Sequence, residues 1–217
     1  MVVADVDDAG GKETVSAIKA GGAEAIFVHT DVSAAADVER LIATATEKFG
    51  RLDILFNNAG IFMKQTMVEE IEDALWDRLY AVNVRGIFLG VKYAVPKMRK
   101  AGGGVIINTA SMLGLRPGPN LAAYASSKGA VIALTKGLAL ELAPSRIRVN
   151  CICPMVTDTP MIGIDSEERR NAFASGVPLG RVARPEDVAN AALFLASDES
   201  AMLSGTTINA NGGMYFG

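Results

Sequence analysis

A strand, a loop and a long helix are predicted by residues 105–142, VIINTASMLGLRPGPNLAAYASSKGAVIALTKGLALEL. The apolar run at its start is followed by a hydroxyl, Ser111, and a Gly/Pro-rich loop then leads to an amphipathic helix that begins near Asn120. Tyr124 and Lys128 are four residues apart near the start of this helix. Their side chains therefore lie on one face, one turn apart.

That spacing suits proton transfer. A phenol ionises near pH 10 in water, and a fixed ammonium beside it stabilises the phenolate and lowers its pKa. A general acid or base works best when its pKa is close to the working pH. We therefore expect Lys128 to lower the pKa of Tyr124 and Ser111 to polarise the same substrate oxygen. Most Tyr/Lys pairs on helices are only solvated neighbours, so this interpretation depends on the rest of the chain.

Strands and helices alternate along the rest of the chain. Strands are predicted at residues 1–5, 25–29, 52–56, 105–109, 147–153 and 206–209. Helices are predicted at residues 10–20, 33–49, 68–80, 83–100, 120–143 and 185–197, with Ser33 as an N-cap. This alternation indicates a parallel sheet with right-handed crossovers. We expect one α/β domain over residues 1–217.

Composition argues against several other classes of protein. Half of the 217 residues are hydrophobic and the net charge is −3, which gives no basic surface for nucleic acid or anionic membranes. No apolar run reaches transmembrane length and no signal peptide is evident, so we expect a cytoplasmic protein. Cys151 and Cys153 are expected on opposite faces of a strand, unable to form a disulfide. With His29 as the only histidine, no metal site is expected.

Several short motifs carry a family resemblance over the whole chain. They are N-N-A-G at residues 57–60, Asn83, Ser111, and Tyr124-x-x-x-Lys128, which begins thirteen residues after the serine. On these motifs the chain resembles the short-chain dehydrogenase/reductase family and is similar to bacterial 3-oxoacyl-carrier-protein reductases and to glucose or hydroxysteroid dehydrogenases. The resemblance implies a Rossmann-like, doubly wound parallel sheet. It also implies hydride transfer between NAD(H) and a small secondary alcohol or carbonyl substrate.

The resemblance assigns the catalytic roles. It implies that Tyr124 is the general acid/base, that Lys128 lowers its pKa and bonds the nicotinamide ribose, and that Ser111 holds the substrate oxygen. It also implies that Asn83 keeps a water that relays protons to Lys128. Asn57 is expected to tie strands together, a structural role.

The resemblance also implies where the coenzyme binds. The implied contacts are Asn58, Ala59 and Gly60 near the adenosine half, Asp31 and Val32 at the adenine, Tyr124 and Lys128 at the nicotinamide ribose, and Pro154, Thr157 and Thr159 near the nicotinamide. Methionine replaces the family's usual glycine after Pro154, which makes the nicotinamide fit less certain. Asp5 ends the first strand, where a carboxylate accepts hydrogen bonds from a ribose diol and repels a 2′-phosphate, which favours NAD over NADP.

One departure from the family pattern is large. The family opens with a strand, a T-G-x-x-x-G-x-G turn and a helix, and residues 1–217 contain none of the three. The missing strand is central in the family sheet, so its absence is expected to leave two facing edges unpaired and to weaken NAD binding. A late gene start, a fragment and a degenerate product all explain this, and the first two are favoured.

Two functions from different classes remain open. The leading one is the NAD-dependent oxidoreductase, and the alternative is a non-catalytic or weakly active subunit or scaffold. The resemblance further implies a homotetramer or homodimer formed through the helices at residues 83–100 and 120–143 and through the C-terminal strand region. Apolar residues on the second helix, such as Leu138 and Leu142, could equally belong to the core.

Overall fold

The computed structural model describes residues 1–216, in which strands and helices alternate as predicted. The strands are β1 (Val2–Asp5), β2 (Ile26–His29), β3 (Ile54–Asn57), β4 (Gly104–Thr109), β5 (Ile147–Ile152) and β6 (Thr207–Ile208). The helices are α1 (Asp8–Ala20), α2 (Ala35–Phe49), α3 (Asp73–Tyr80), α4 (Gly86–Ala101), α5 (Ala122–Leu142), α6 (Glu167–Ala174) and α7 (Pro185–Ala196). A five-residue π-turn, Ala81–Arg85, joins α3 to α4.

The larger sheet is parallel and has helices on both faces. Its strand order is β3-β4-β5-β6, and β4 is paired along its whole length with β5. Successive residues of β4 point to opposite faces. Ile106 packs in a cluster with residues of α2, α4 and α5, whereas Ile107 packs in a cluster with residues of α7. The strands read as near-continuous apolar runs because both of their faces are covered, and the doubly wound α/β prediction is confirmed.

The sheet is divided in two. β1 pairs in parallel with β2, and within residues 1–216 no strand pairing connects these two strands to the four-stranded sheet. The predicted unpaired edges are therefore present, on β1 and on β3. On the α7 face of β3 the side chains are also uncovered, since Ile54 is 47 % exposed and Phe56 40 % exposed.

Two details of the helices differ from the prediction. The N-cap of α2 is Ala34, which makes no side-chain cap hydrogen bond, and the Ser33 hydroxyl instead donates to the Asp31 carboxylate at 2.7 Å. A serine beside an aspartate can satisfy that carboxylate instead of capping the helix. α5 begins at Ala122, because Asn120 has a φ of +58°, in the left-handed region that asparagine tolerates.

The expectation that the two cysteines occupy opposite faces is wrong. Cys151 and Cys153 are both buried in the cluster on the α5 side of the sheet, as free thiols. Residues two apart in an extended chain point to the same side, so alternation places them together. Leu142 is buried in the same cluster and Leu138 packs against it, so these two leucines are core residues. Other apolar side chains on the long helices are exposed, notably Phe88 on α4 and Leu140 on α5.

A buried chain of hydrogen bonds ties β3, β4 and α5 together. Asn57 Nδ2 donates to Asn108 Oδ1 at 2.9 Å, and Asn108 Nδ2 donates to Thr135 Oγ1 at 2.9 Å. Thr135 Oγ1 in turn donates to the Val131 carbonyl of its own helix at 2.8 Å. The structural role expected of Asn57 is consistent with this chain. The network fixes how α5 lies across the sheet, and so where its first turn stands.

We expect Asn108→Ala to lower the free energy of unfolding by about 2–3 kcal/mol, because it removes the acceptor of the half-buried Asn57 amide and the donor to the buried Thr135 hydroxyl. Urea denaturation followed by circular dichroism measures the change. Asn171→Ala, on the exposed side of α6, is the matched control and should shift stability by less than about 0.5 kcal/mol. Equal shifts for the two variants would contradict a stabilising role of the network.

Within residues 1–216 no helix is both long and apolar enough to cross a bilayer. The same residues contain no cluster of three or more His, Cys, Asp or Glu side chains arranged to hold a metal ion.

Candidate active site

The predicted catalytic residues meet at the carboxyl ends of β3 and β4. The N-N-A-G segment continues directly from β3, and Ser111 follows β4 by two residues. The first turns of α5 lie beside these strand ends, since Lys128 Nζ donates to the Thr109 carbonyl at 2.8 Å. In open parallel sheets the carboxyl ends of the strands form the crevice in which ligands bind. The sequence motifs therefore converge on one place although they are spread over about seventy residues.

The four predicted catalytic side chains are nearly or fully buried. Their exposed fractions are 0 % for Asn83, 4 % for Lys128, 8 % for Ser111 and 8 % for Tyr124. The Ser111 hydroxyl lies close enough to the Tyr124 phenol to lower its pKa, and the Lys128 ammonium lies 5.9 Å from the centroid of the Tyr124 ring. The hydroxyl, the phenol and the amine thus line one small, dry region.

The pKa values in this region differ from the expectation. Burial raises the pKa of Tyr124 above its ordinary value of 10, and the nearby Ser111 hydroxyl offsets this only in part. Burial also lowers the pKa of Lys128 to about 8. Because Lys128 donates to the Thr109 carbonyl instead of the phenol, it does not lower the pKa of Tyr124 in this structure. The predicted lowering is wrong, and desolvation is the dominant influence on both groups.

Asn83 lies in the π-turn and binds a neighbouring loop. Its Oδ1 accepts the Ile61 N–H at 2.8 Å, and its Nδ2 donates to the Ile61 carbonyl at 3.0 Å and to Ser127 Oγ at 3.2 Å. A π-turn inserts one residue into a helix and is common at functional sites. Here it turns a fully buried amide toward the segment after N-N-A-G. Asn83 therefore fixes that segment relative to α5.

Gly60 packs closely against two of the buried polar groups. A side-chain carbon at this position would lie 3.2 Å from Asn83 Oδ1 and 3.4 Å from Lys128 Nζ. The approach to Asn83 Oδ1 is tighter than most side-chain carbons make, so a side chain here would push that amide by a few tenths of an ångström, whereas the contact with the amine is of ordinary length. The last glycine of N-N-A-G is thus explained by contact with the site.

The predicted adenine-binding residues lie beside α3 and α4. Asp31 Oδ2 accepts from both guanidinium nitrogens of Arg78 at 3.3 Å, and Asp31 Oδ1 accepts the Ser33 N–H. Hydrogen bonds from Ser33, aided by the Arg78 charge, lower the pKa of Asp31. Val32 packs against Gly86 at the start of α4, where a side-chain carbon would come within 2.9 Å of Val32 Cγ2.

Asp5 and Asn58 occupy two different sheets. Asp5 is exposed at the end of β1, where its Oδ1 accepts the Asp7 N–H at 3.0 Å. Asn58 follows β3 and its Oδ1 accepts the Thr109 hydroxyl at 3.0 Å. Ala59 lies between Asn58 and Gly60 in the same loop. The structure does not bring Asp5 into hydrogen-bonding contact with the four buried side chains.

The loop after β5 is held by one hydrogen bond to the loop after β4 and by threonine side chains that bond its own backbone carbonyls. The Pro154 carbonyl accepts the Met112 N–H at 2.9 Å, next to Ser111. The Thr157 hydroxyl donates to the Met155 carbonyl, and the Thr159 hydroxyl donates to the Thr157 carbonyl. The Met155 side chain is buried in a cluster with Val177 and Ala183, and this contact accommodates the bulk that replaces glycine.

Two residues at the site were not anticipated from the sequence. Arg78 pairs with Asp31, and Phe62 packs edge-on against Tyr124 with ring centroids 4.7 Å apart and an interplanar angle of 77°. Phe62 follows the N-N-A-G motif by two residues, in a segment that otherwise reads as a variable loop. Arg78 is seven residues from the end of the π-turn, on a helix whose sequence gives no sign of its partner.

Comparison with known proteins identifies the family to which this arrangement belongs. A family model described as enoyl-(acyl carrier protein) reductase matches residues 1–215. The chain belongs to the short-chain dehydrogenase/reductase family. The family resemblance drawn from the sequence motifs is therefore confirmed, and the chain is an oxidoreductase of this family.

Members of the short-chain dehydrogenase/reductase family with known names are similar along nearly the entire chain. The 2,5-dichloro-2,5-cyclohexadiene-1,4-diol dehydrogenase LinX of Sphingobium indicum is 38 % identical over 100 % of this chain and 86 % of its own length. The cyclopentanol dehydrogenase of Comamonas sp. is 38 % identical over 98 % of this chain and 86 % of its own length. The 3-ketoacyl-(acyl-carrier-protein) reductase of Brucella melitensis, solved in complex with NADH, superposes with a TM-score of 0.93 at 39 % identity. That match covers 99 % of this chain and 87 % of the reductase.

Proposed function

We propose that the protein is an NAD-dependent oxidoreductase that interconverts a secondary alcohol and the corresponding carbonyl compound. The observation that carries the proposal is the convergence of Ser111, Tyr124 and Lys128, all nearly buried, at the carboxyl ends of β3 and β4. A dry site with one phenol, one hydroxyl and one amine is suited to moving a single proton to or from an oxygen.

Each side chain then has a distinct task. Tyr124 takes the proton from the substrate hydroxyl during oxidation and returns it during reduction. Ser111 lies close to the phenol, so a substrate oxygen that enters between them would be held by both groups. Lys128, with a pKa of about 8, is protonated at neutral pH and would bond the nicotinamide ribose. Asn83 keeps the segment 60–62 against α5, and with it the wall of the site.

The described residues fit a nicotinamide dinucleotide. Gly60 brings the backbone close to Lys128 without a side chain, and Asp5 presents an exposed carboxylate at the end of β1, suited to a ribose diol. Asp31 and Val32 would hold the adenine, Asn58 and Ala59 would line the adenosine side, and Pro154, Thr157 and Thr159 would face the nicotinamide. When bound, the oxidised coenzyme supplies the two-electron acceptor and a positive charge that favours the phenolate.

The substrate we propose is a small alicyclic secondary alcohol or its ketone. Two similar members of the family are named for such substrates, cyclopentanol and a chlorinated cyclohexadiene diol. The surroundings of Tyr124 support an apolar substrate, since its ring packs in a cluster with Met63, Leu121 and Phe62. Cyclopentanol and cyclohexanol are therefore the first compounds to assay.

The test is a titration of the 217-residue chain with NADH, followed by coenzyme fluorescence, and an assay of cyclopentanol oxidation with NAD. We expect saturable binding, with NADH bound at least tenfold tighter than NADPH, because the Asp5 carboxylate repels a 2′-phosphate. Asp5→Ser should narrow that preference, whereas Asp7→Ser, at the cap of α1, should leave it unchanged. Absence of saturable binding of either coenzyme would contradict the proposal.

A non-catalytic subunit is the second candidate, and the division of the sheet between β1 and β3 is the observation that favours it. For either function we propose a homodimer or homotetramer formed through α4 and α5, which expose Phe88 and Leu140. The NADH titration distinguishes the two functions, because only the oxidoreductase requires the coenzyme.

A further inference from the structure

Phe62 makes a specific ring contact with the proposed acid/base. The edge of one ring meets the face of the other, with centroids 4.7 Å apart and an interplanar angle of 77°. Edge-to-face pairs at this distance have a favourable electrostatic geometry beyond simple burial. A second aromatic pair within residues 1–216, Trp76 with Tyr80, is stacked at an interplanar angle of 23°, and Trp76 is exposed.

The orientation of the Tyr124 ring needs such a contact. The helix backbone fixes where the side chain leaves α5, but χ1 decides where the phenol oxygen stands, because that oxygen lies on the axis of the last torsion and does not move when the ring turns about it. The phenol oxygen must nevertheless stand near the Ser111 hydroxyl, which lowers the pKa of the phenol. A ring packed against Tyr124 opposes a change of χ1, so Phe62 holds the phenol near Ser111.

The position of Phe62 is itself fixed by a buried residue. Both backbone groups of the preceding residue, Ile61, are bonded by the Asn83 amide, at 2.8 Å and 3.0 Å. Asn83 also donates to Ser127 Oγ, which donates to the Tyr124 carbonyl at 2.7 Å. The amide thus connects the backbone beside one ring to the backbone that carries the other.

Phe62 also keeps water away from the phenol. It packs against a cluster that contains Met63, Leu79, Leu121 and Tyr124, and the tyrosine is only 8 % exposed. Removing the ring would open a cavity beside the tyrosine ring, and a polar group such as the phenol invites water into such a space.

We infer that Phe62 is a positioning residue that orients the Tyr124 phenol toward Ser111 and excludes water from it. The inference rests on the proposed function of Tyr124. It concerns a side chain that acts through the tyrosine and does not itself take part in proton transfer. Its consequence is that ring orientation and acidity of Tyr124 are set by the segment after N-N-A-G, not by α5 alone.

The test compares Phe62→Ala and Phe62→Leu with Trp76→Leu, which removes the surface aromatic pair. The first readout is kcat for cyclopentanol oxidation across pH. We expect Phe62→Ala to lower kcat about tenfold. The rising limb of its plot of kcat against pH should also move to lower pH, because hydration eases ionisation of the phenol. Phe62→Leu keeps most of the apolar volume, so the rising limb of its pH profile should stay near that of the wild type. Trp76→Leu should change neither quantity.

The second readout needs no turnover. The protein is labelled with 3-fluorotyrosine, the Tyr124 fluorine resonance is assigned with Tyr124→Phe, and its titration midpoint is measured by fluorine NMR. We expect the midpoint to fall in Phe62→Ala and to stay within about 0.3 pH unit of the wild type in Phe62→Leu and Trp76→Leu. If Phe62→Ala does not fold, Phe62→Ser and Phe62→Val take its place in the same comparison.

A midpoint and a rising limb that do not move in Phe62→Ala would overturn the inference, even if kcat falls, because a merely structural loss lowers the amount of active protein without changing the acidity of the phenol. If instead the wild type binds no coenzyme and turns over no alcohol, the proposed function fails. The fluorine titration still decides whether Phe62 controls the environment of the phenol.

Discussion

Tyr124→Phe is expected to lower kcat for alcohol oxidation about a thousandfold while the protein remains folded. General acid/base groups contribute factors of this order, and the substitution removes only the phenol oxygen. The remaining ring keeps its edge-to-face contact with Phe62 and its place in the apolar cluster. Because the pKa of the phenol is raised by burial, loss of this oxygen also relieves the desolvation of a polar group, and stability should not fall.

The measurement has three parts: kcat with NAD and cyclopentanol, the dissociation constant for NADH, and the midpoint of thermal unfolding. We expect only the first to change by more than a few-fold. Tyr80→Phe removes the same atom from a ring on α3 that stacks on Trp76, and it should keep wild-type activity. A Tyr124→Phe protein with more than a tenth of wild-type kcat would refute the assigned role.

Lys128→Met is expected to separate activity from stability. In the folded protein burial lowers the pKa of Lys128 from 10.5 to about 8, so holding the ammonium charged at pH 7 costs roughly 3 kcal/mol. Methionine avoids that cost and fills a similar volume, but it loses the hydrogen bond to the Thr109 carbonyl, worth about 1–2 kcal/mol. We expect a net gain of about 1–2 kcal/mol in the free energy of unfolding at pH 7 and a loss of about a hundredfold in kcat.

The stability difference between Lys128→Met and the wild type should depend on pH. The folded pKa lies below the unfolded one, so between pH 8 and 10.5 the unfolded chain binds more protons and the wild type becomes more stable as pH rises. The advantage of Lys128→Met should therefore shrink between pH 7 and pH 10. Urea denaturation at pH 7 and pH 9.5 measures it, with Lys136→Met on the exposed side of α5 as the control. A variant that is less stable than the wild type by the same amount at both values would contradict the prediction.

Much of the architecture could be read from the sequence because each buried strand is a short apolar run followed by polar residues. β4 and β5 were placed to within a residue or so, since both of their faces are covered and both consist of apolar side chains. The motif residues were also grouped correctly, because the family resemblance assigned them to one site. Asn83, Ser111, Tyr124 and Lys128 could thus be grouped without coordinates.

The features that the sequence did not predict depend on the direction in which side chains point and on how deeply they are buried. The acidity of Tyr124 was mispredicted because the four-residue spacing to Lys128 does not reveal that the amine turns to the Thr109 carbonyl. The bonds from Asn83 to Ile61 arise from a π-turn, for which the sequence has no reliable signal. Phe62 stands in a segment without periodicity, so its contact with Tyr124 has no local signature.

The uncovered edge of β3 has a practical consequence for anyone purifying the protein. A strand with an unpaired edge and with exposed Ile54 and Phe56 can pair with strands of other chains and so promote aggregation. Turbidity and losses on concentration should therefore set in well before the solubility limit suggested by the net charge of −3. Dilute samples, mild chaotropes and a charged substitution such as Phe56→Lys are the means of keeping it in solution.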